Sequence, residues 1–480
     1  MAQTICRQGR APSSLVFKVH RREPELITPE KPTPHEFKYL SDIDDQEGLR
    51  FHIPLILIYP SKPSMRGKDP VKTIRDAIAR ALVFYYPFAG RLREGTNRKL
   101  MVECTGEGIW FIEADAQVTL QQFGDALHPP FPCFEELLFD VPGSTGVLNT
   151  PLLLLQVTRL ECGGFILALR LNHTMCDAPG LAQFLSAICE IARGSPFPSL
   201  LPVWERHFLS ASDPPQVTHQ HPEYEPDDPT TNISISTTTS DDDDDISTVA
   251  LNEEEMVQSS IFLGPKEIST LRGLVPHRHH TTLEIIIACL WKCRTIALRL
   301  KPREDVRVMI VVNGRNRFNP PFPLGYYGNA FAYPAAVTTA GNLSRNPLAY
   351  ALDLVQEAKA QFTEAYIRSV AALMVIKSRP PFTATGSWIV SDNTRAGFQD
   401  VDLGWGKPIY AGVAMAGAGN FPGVSFLGSF TNKKGEKVIV VPICLPALAM
   451  QSFENELRVM LKAPLSGYHN IDSKFINSSL

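Results

Sequence analysis

One segment divides this chain of 480 residues. From Asp213 to about Glu255 large apolar side chains are scarce, and Asp241 to Asp245 form an unbroken acidic run. Such a stretch cannot bury enough apolar surface to offset the entropy of ordering it. The segment reads as a solvated crossover; an acidic interaction segment is the other reading of the same residues. The division is then an N-terminal unit over residues 1–210, a crossover over 211–258 and a C-terminal unit over 259–480.

Both flanking parts interleave strand and helix patterns. Leu49 to Tyr59 is strand-like. Asp69-Pro70 opens a helix, with Asp as N-cap and Pro in the first turn. Val71, Ile74, Ile78 and Leu82 recur at helical spacing and face a core. Leu100 to Ala114 reads as a hairpin. Leu152 to His173 reads as another, turning at Cys162-Gly163-Gly164. Gly180 to Gly194 is an amphipathic helix with Gly194 as its stop. Beyond the crossover, Thr281 to Leu298 is a helix, Val306 to Arg315 a strand, and a long helix starts near Asn346. Ile439 to Pro446 is a strand, followed by a helix through Leu457. The fold class is α/β (mixed α+β), with two layered units and an interface where a pocket would lie.

The charge balance, 46 basic against 50 acidic side chains, gives −4. That argues against a nucleic-acid binder and against a basic membrane-surface protein. The apolar stretch Val438 to Met450 is short and broken by Pro442 and Pro446, so no transmembrane helix is expected. The first residues lack the apolar core of a secretory signal. Nine cysteines are scattered without a Cys-x-x-Cys pair, which supports neither a zinc ribbon nor a thioredoxin-type site. Unpaired cysteines fit a reducing compartment, read as the cytoplasm. Phosphate-binding glycine loops and a Gly-x-Ser-x-Gly elbow are missing. His277, His279 and His280 with Glu284 read as a polar loop entering the Thr281 helix, and no metal is expected.

Two stretches could carry chemistry. In Asn172 to Gly180, His173 stands where a long apolar strand ends and a helix begins. A histidine presented there suits general-base work, because its pKa lies near neutrality. Asp177 either orients that imidazole or caps the next helix. In Asp400 to Pro408, Gly404 and Gly406 flank Trp405 ahead of Lys407-Pro408. Those residues describe a tight corner whose Trp fills space; the functional alternative makes Asp402 an acid or base.

A His-x-x-x-Asp near one third of the chain and an Asp-x-Gly-Trp-Gly near its end resemble the signature pair of the plant BAHD acyltransferases. Leu40 to Phe51, Ala81 to Glu94, Gly325 to Phe331 and Val390 to Phe398 match the family as well. The resemblance covers nearly the whole length and is nearest to the alcohol acyltransferases that make volatile esters. It implies two chloramphenicol-acetyltransferase-like domains with a channel along their interface, the acidic stretch taking the place of the family's crossover loop. It implies transfer of a benzoyl, anthraniloyl, acetyl or similar group from acyl-CoA to a small alcohol. Acyl-CoA is then a co-substrate, with no permanently bound cofactor, and the protein is a monomer.

By the same resemblance His173 is the base, Asp177 points away from the channel to pair with an arginine, and Arg315 is the partner. Asp402 matches a position sometimes assigned as a proton acceptor, although its glycine turn fits a structural role. The Trp405 indole or backbone N–H groups would hold the oxyanion. Thr281, Thr282, Ser391 and Asp392 match stretches near the cofactor. Departures are Leu403 for the usual Phe, Pro179 in the His-loop helix start, and Ile53 where some members carry a hydroxyl. Transfer to a phenylpropanoid, quinate-type or amine acceptor, a non-catalytic accessory member and a CoA-binding scaffold are the other readings.

Overall fold

The computed structural model describes residues 15–144, 146–226, 256–276, 279–432 and 435–462. The acidic run Asp241–Asp245 and His277 lie outside the described residues.

The first sheet runs in the order Val19–Arg21, Ile109–Ala116, Leu153–Leu160, Phe165–Asn172, His52–Tyr59 and Tyr410–Val413, and Glu25–Ile27 also pairs with Ile109–Ala116. Its centre is apolar on both faces because helices cover one side and Phe123, Phe131, Phe134 and Leu137 cover the other. Pro70–Phe84, capped by the Asp69 side chain on the Val71 amide, packs beside Ala178–Ala192. Val71, Ile74, Ile78 and Leu82 are all buried in that layer. Leu153–Leu160 and Phe165–Asn172 form the expected hairpin, with Leu153 opposite Leu171.

The second sheet runs Met256–Leu263, Lys437–Pro446, Val424–Thr431, Ser387–Asp392, Asp305–Ile310 and Ala335–Thr339. Thr282–Ala297 lies against it, flanked by Leu348–Ala360 and Ala447–Lys462. The Met256–Leu263 strand begins inside the span read as crossover, and the first part of that span also packs on the fold. The Ser369 hydroxyl accepts from the Thr218 and His219 amides at 2.9 and 3.1 Å.

Two expectations need correction. Leu100 to Ala114 is not a hairpin. Leu100–Glu103 pairs with Arg91–Glu94 and Phe37–Tyr39 in a small separate sheet. Ile109–Ala116 instead runs parallel to the longer apolar strand Leu153–Leu160, which buries more surface than a local partner would. The Gly108 amide donates to Ala89 O at 3.0 Å, turning the chain away. Nor are all cysteines unpaired: Cys444 is disulfide-bonded, while Cys104, Cys133, Cys162, Cys176, Cys189, Cys289 and Cys293 are free. Cysteine spacing in sequence does not say which thiols meet in space.

The halves are joined through the sheet itself. Tyr410–Val413 leaves the C-terminal half and pairs antiparallel with His52–Tyr59, Gly412 opposite Ile56. Accordingly, one apolar core contains Leu55, Leu171 and Phe184 from the first half together with Met309, Phe331, Ile389 and Phe426 from the second.

Candidate active site

A cavity of about 870 Å³ opens where that shared core is incomplete. Its walls come from both halves: Phe51, Ile53, Leu55 and Leu171 on one side, Ile310, Phe331, Tyr333, Phe382 and Phe426 on the other. This is an apolar space of ligand size. His173 lines it.

His173 stands one residue beyond the Phe165–Asn172 strand. Its amide donates to Phe51 O at 2.9 Å, continuing the pairing of that strand with His52–Tyr59. The ring lies between Phe51 and Phe331, with centroids 5.4 and 6.0 Å away. Burial pushes its pKa below the ordinary 6.5, against smaller opposing contributions from its own carbonyl, Asp177, Asn329 and Asp44. The imidazole is therefore neutral at pH 7, the state a base requires. Nδ1 is buried without a hydrogen-bond partner.

The loop after His173 is pinned by charged and amide groups from far along the chain. The Asp177 carboxylate caps Ala178–Ala192 by accepting from the Gly180 amide at 3.0 Å. It also accepts from Arg315 Nη1 and Nη2 at 2.6 and 2.8 Å, and from the Ala330 amide at 3.1 Å. Capping and ion pairing thus occupy Asp177, and it makes no hydrogen bond to the His173 ring. Arg315 also donates to Gly328 O at 2.7 Å. A second anchor is Asn329, whose side-chain nitrogen donates to His173 O at 2.9 Å and Thr174 O at 3.2 Å. Asn329 is itself held by Asp44, which is fully buried and accepts from its amide and side chain at 2.9 Å. Asp44 also pairs with Arg206 at 2.7 Å, and Arg206 reaches Met175 O at 2.8 Å. A buried acid accepting from that many donors is held rigidly in place.

Asp402 and its neighbours lie elsewhere. The Asp402 carboxylate accepts from the Gly404 and Gly406 amides, both at 2.8 Å. Gly404 and Gly406 take φ of +107° and +94°, conformations that favour glycine. Trp405 is buried edge-on to Phe165 at 5.4 Å. Lys62 donates to Gly404 O at 2.8 Å, and the Tyr59 hydroxyl to Val401 O at 2.8 Å. Asp402, Gly404, Trp405 and Gly406 are not among the cavity's lining residues. The turn delivers Tyr410–Val413 into the first sheet, and Trp405 packs on Phe165 rather than on the cavity.

Ser391 and Asp392 line the cavity, while Thr281 and Thr282 do not. Asp392 accepts from the Thr394 amide and hydroxyl at 3.0 and 2.6 Å. Thr281 forms a capping box with Glu284, and the Thr282 hydroxyl accepts from Arg272. Leu283 of that first turn reaches the cavity, beside Lys359. No group of His, Cys, Asp and Glu among the described residues could hold a metal. No helix among them is long and apolar enough to cross a membrane.

Sequence reasoning did not single out Asp44, Arg206 and Asn329. Asp44 and Asn329 do fall within Leu40 to Phe51 and Gly325 to Phe331, stretches already marked by the resemblance. The available signal was their place in those two stretches, and nothing local set Asp44 apart from the neighbouring Asp42 and Asp45.

A family model described as the Transferase family matches residues 17–460. The chain belongs to this family, the BAHD acyltransferases. Among curated BAHD relatives, the benzyl alcohol O-benzoyltransferase of Nicotiana tabacum is 60% identical over 94% of this chain and 96% of its own length. Alcohol acyl transferase 1 allele GSa of Malus domestica is 54% identical, over 94% of this chain and 95% of its own. Among solved structures, F. sporotrichioides TRI101 complexed with coenzyme A and T-2 superimposes with a TM-score of 0.63 at 17% identity, over 87% of this chain and 97% of that one. The BAHD fold of two units around a shared cavity is thus that of this chain.

Proposed function

We propose that this protein transfers an acyl group from acyl-CoA to the hydroxyl of a small alcohol, forming an ester, with His173 as general base. The observation that carries the reading is His173 itself: neutral by burial, on a loop anchored by two buried ion pairs, facing an apolar cavity made by both halves. The tobacco and apple relatives, a benzyl alcohol O-benzoyltransferase and an alcohol acyl transferase, support an alcohol acceptor. The coenzyme A complexed with TRI101 supports a CoA thioester as donor.

An alcohol is a poor nucleophile at neutral pH. His173 takes its proton as the oxygen attacks the thioester carbonyl carbon, a contribution of about 10²–10⁴ in rate. The new C–O bond forms, the C–S bond breaks, and His173 returns the proton to the departing CoA sulfur. Cys176 also lines the cavity, three residues from His173, yet burial pushes its thiol well above the usual range. Its thiolate is disfavoured at pH 7, which supports direct transfer in a ternary complex rather than an acyl-enzyme. Asp177, Arg315, Asn329 and Asp44 act as positioning residues, and Asp402 holds a turn. Ser391 and Asp392, with the Thr281–Thr282 helix start nearby, are kept as the CoA-side candidates. The protein acts as a monomer in the cytoplasm; seven free thiols among the described residues fit that compartment, and the disulfide at Cys444 weighs against it.

The test is free-thiol release from a panel of acyl-CoA donors crossed with short aliphatic and benzyl alcohols, run on the protein and on His173→Ala. Alcohol-dependent release that the variant loses by about 10²-fold or more is expected. Release that survives in the folded variant would remove His173 from the mechanism, and no release from any pairing would favour an accessory role.

A further inference from the structure

We propose that Phe382 is the residue that selects for a planar aromatic ring on the substrate, its own ring held in place by Gly48 and Tyr224. The inference rests on the acyl-transfer reading above and deepens it, by naming what distinguishes aromatic from aliphatic substrates in that cavity.

Phe382 lines the cavity, as does Gly48. A Cβ on Gly48 would lie 1.9 Å from Phe382 Cε2 and 2.5 Å from Cδ2, so the ring edge rests directly on glycine backbone. On its face Phe382 stacks with Tyr224 at 5.3 Å and 21°. The Tyr224 hydroxyl donates to Gln46 Oε1, tying that ring to the loop that carries Gly48. Tyr333 meets Phe382 edge-on at 4.6 Å. The backbone on either side is fixed as well: Arg379 Nε donates to Asp45 at 2.7 Å, and the Thr383 amide to Glu223 O at 3.0 Å. These contacts fix where the ring sits on the cavity wall.

From Phe382 the aromatic surface continues toward the base. Tyr333 meets Phe331 at 5.2 Å and 89°, and Phe331 meets the His173 ring at 6.0 Å. An aliphatic chain gains as much from leaving water as a ring of equal area. Only a ring gains offset-stacked or edge-to-face contact, and it gains most against rings already locked in place. The ring recognised is a six-membered aromatic one, borne either by the acyl group of the donor or by the alcohol.

The experiment measures kcat/KM in two arms. The donor arm compares benzoyl-CoA with hexanoyl-CoA at fixed 1-hexanol. The acceptor arm compares benzyl alcohol with 1-hexanol at fixed hexanoyl-CoA. Phe382→Leu is expected to lower the aromatic-to-aliphatic ratio about 3- to 10-fold in the arm whose substrate carries the recognised ring. Phe382→Tyr keeps a ring and keeps the ratio. Gly48→Ala displaces the ring without changing it, and moves the ratio as Phe382→Leu does. Ratios within about twofold of the parent in both arms, for both Phe382→Leu and Gly48→Ala, overturn the proposal. If the parent protein releases no thiol, acyl transfer has failed while this inference still stands to be judged. Calorimetric Kd values for benzoyl-CoA and hexanoyl-CoA, and for benzyl alcohol and 1-hexanol, then supply the same ratios, with the same outcomes.

Discussion

The Asp177–Arg315 pair is the sharpest place to test whether the His173 loop is held by tertiary charge. Replacing Arg315 with Met keeps an unbranched stem and removes the guanidinium. The Asp177 carboxylate then loses bonds of 2.6 and 2.8 Å but retains the Gly180 and Ala330 amides. Breaking one partner of a buried pair costs about 3–5 kcal/mol. The two surviving N–H donors put this case at the lower end, about 3 kcal/mol. Asp177→Asn leaves the helix cap largely intact, because Asn caps as well as Asp, and isolates the Arg315 charge instead. In the double variant neither charge is left alone. Its destabilisation is expected to fall short of the sum of the singles by about 2 kcal/mol. Urea midpoints and slopes of the four proteins measure this, and kcat at saturating substrates follows His173. The Asn329 and Arg206 anchors remain, so the loop loosens without detaching; kcat falls by at most about 10²-fold in Arg315→Met. Additivity within about 0.5 kcal/mol would refute the coupling. So would an Arg315→Met protein with parental stability and kcat.

Asp402→Asn is expected to retain kcat within about threefold, since an amide oxygen still accepts from the Gly404 and Gly406 amides. Asp402→Ala should cost about 1–2 kcal/mol of stability by losing both bonds. A folded Asp402→Asn protein with a kcat lower by about 10³-fold would instead make Asp402 a chemical participant. For His173, burial lowers the pKa below 6.5, and only the neutral ring accepts a proton. Lowering the pH therefore leaves the base active until the depressed value is passed, and kcat/KM for the alcohol should fall only below pH 6.5. An acid limb centred at or above 6.5 would show a hydrated imidazole.

Local chemistry made much of this molecule readable. Asp69-Pro70 and Asp177-Ala178-Pro179 announce helix starts through cap geometry alone, and both side chains cap as such residues do. The Leu153–Asn172 hairpin is legible because two apolar runs meet at a Cys-Gly-Gly turn with no competing partner between them. Leu100 to Ala114 has the same appearance and folds differently. Its glycines mark a turn, but nothing local says that Ile109–Ala116 will find Leu153–Leu160 first. The Tyr410–Val413 strand is the extreme case, since its partner lies in the other half of the chain.

The site divides along the same line. His173 and Asp177 were visible because a strand end and a helix cap lie four residues apart. Asp402 stood out with two readings, since a short acid before two glycines looks alike whether it moves a proton or accepts two amides; its carboxylate accepts from the Gly404 and Gly406 amides. Asp44 and Asn329 could not be assigned work from sequence, because their meaning is relational. Asp44 comes from the segment ahead of His52–Tyr59 and Asn329 from the far side of the crossover; Asp44 holds Asn329, and Asn329 bonds a loop belonging to neither. Arg315 adds the third contact of this kind. Asn329 and Arg315 thus fasten the His173 loop to the opposite half of the protein, at its backbone and at its helix cap, with Asp44 bracing Asn329. The charge network that orients His173 is therefore the same network that keeps the two walls of the cavity in register, and loosening either must disturb the other.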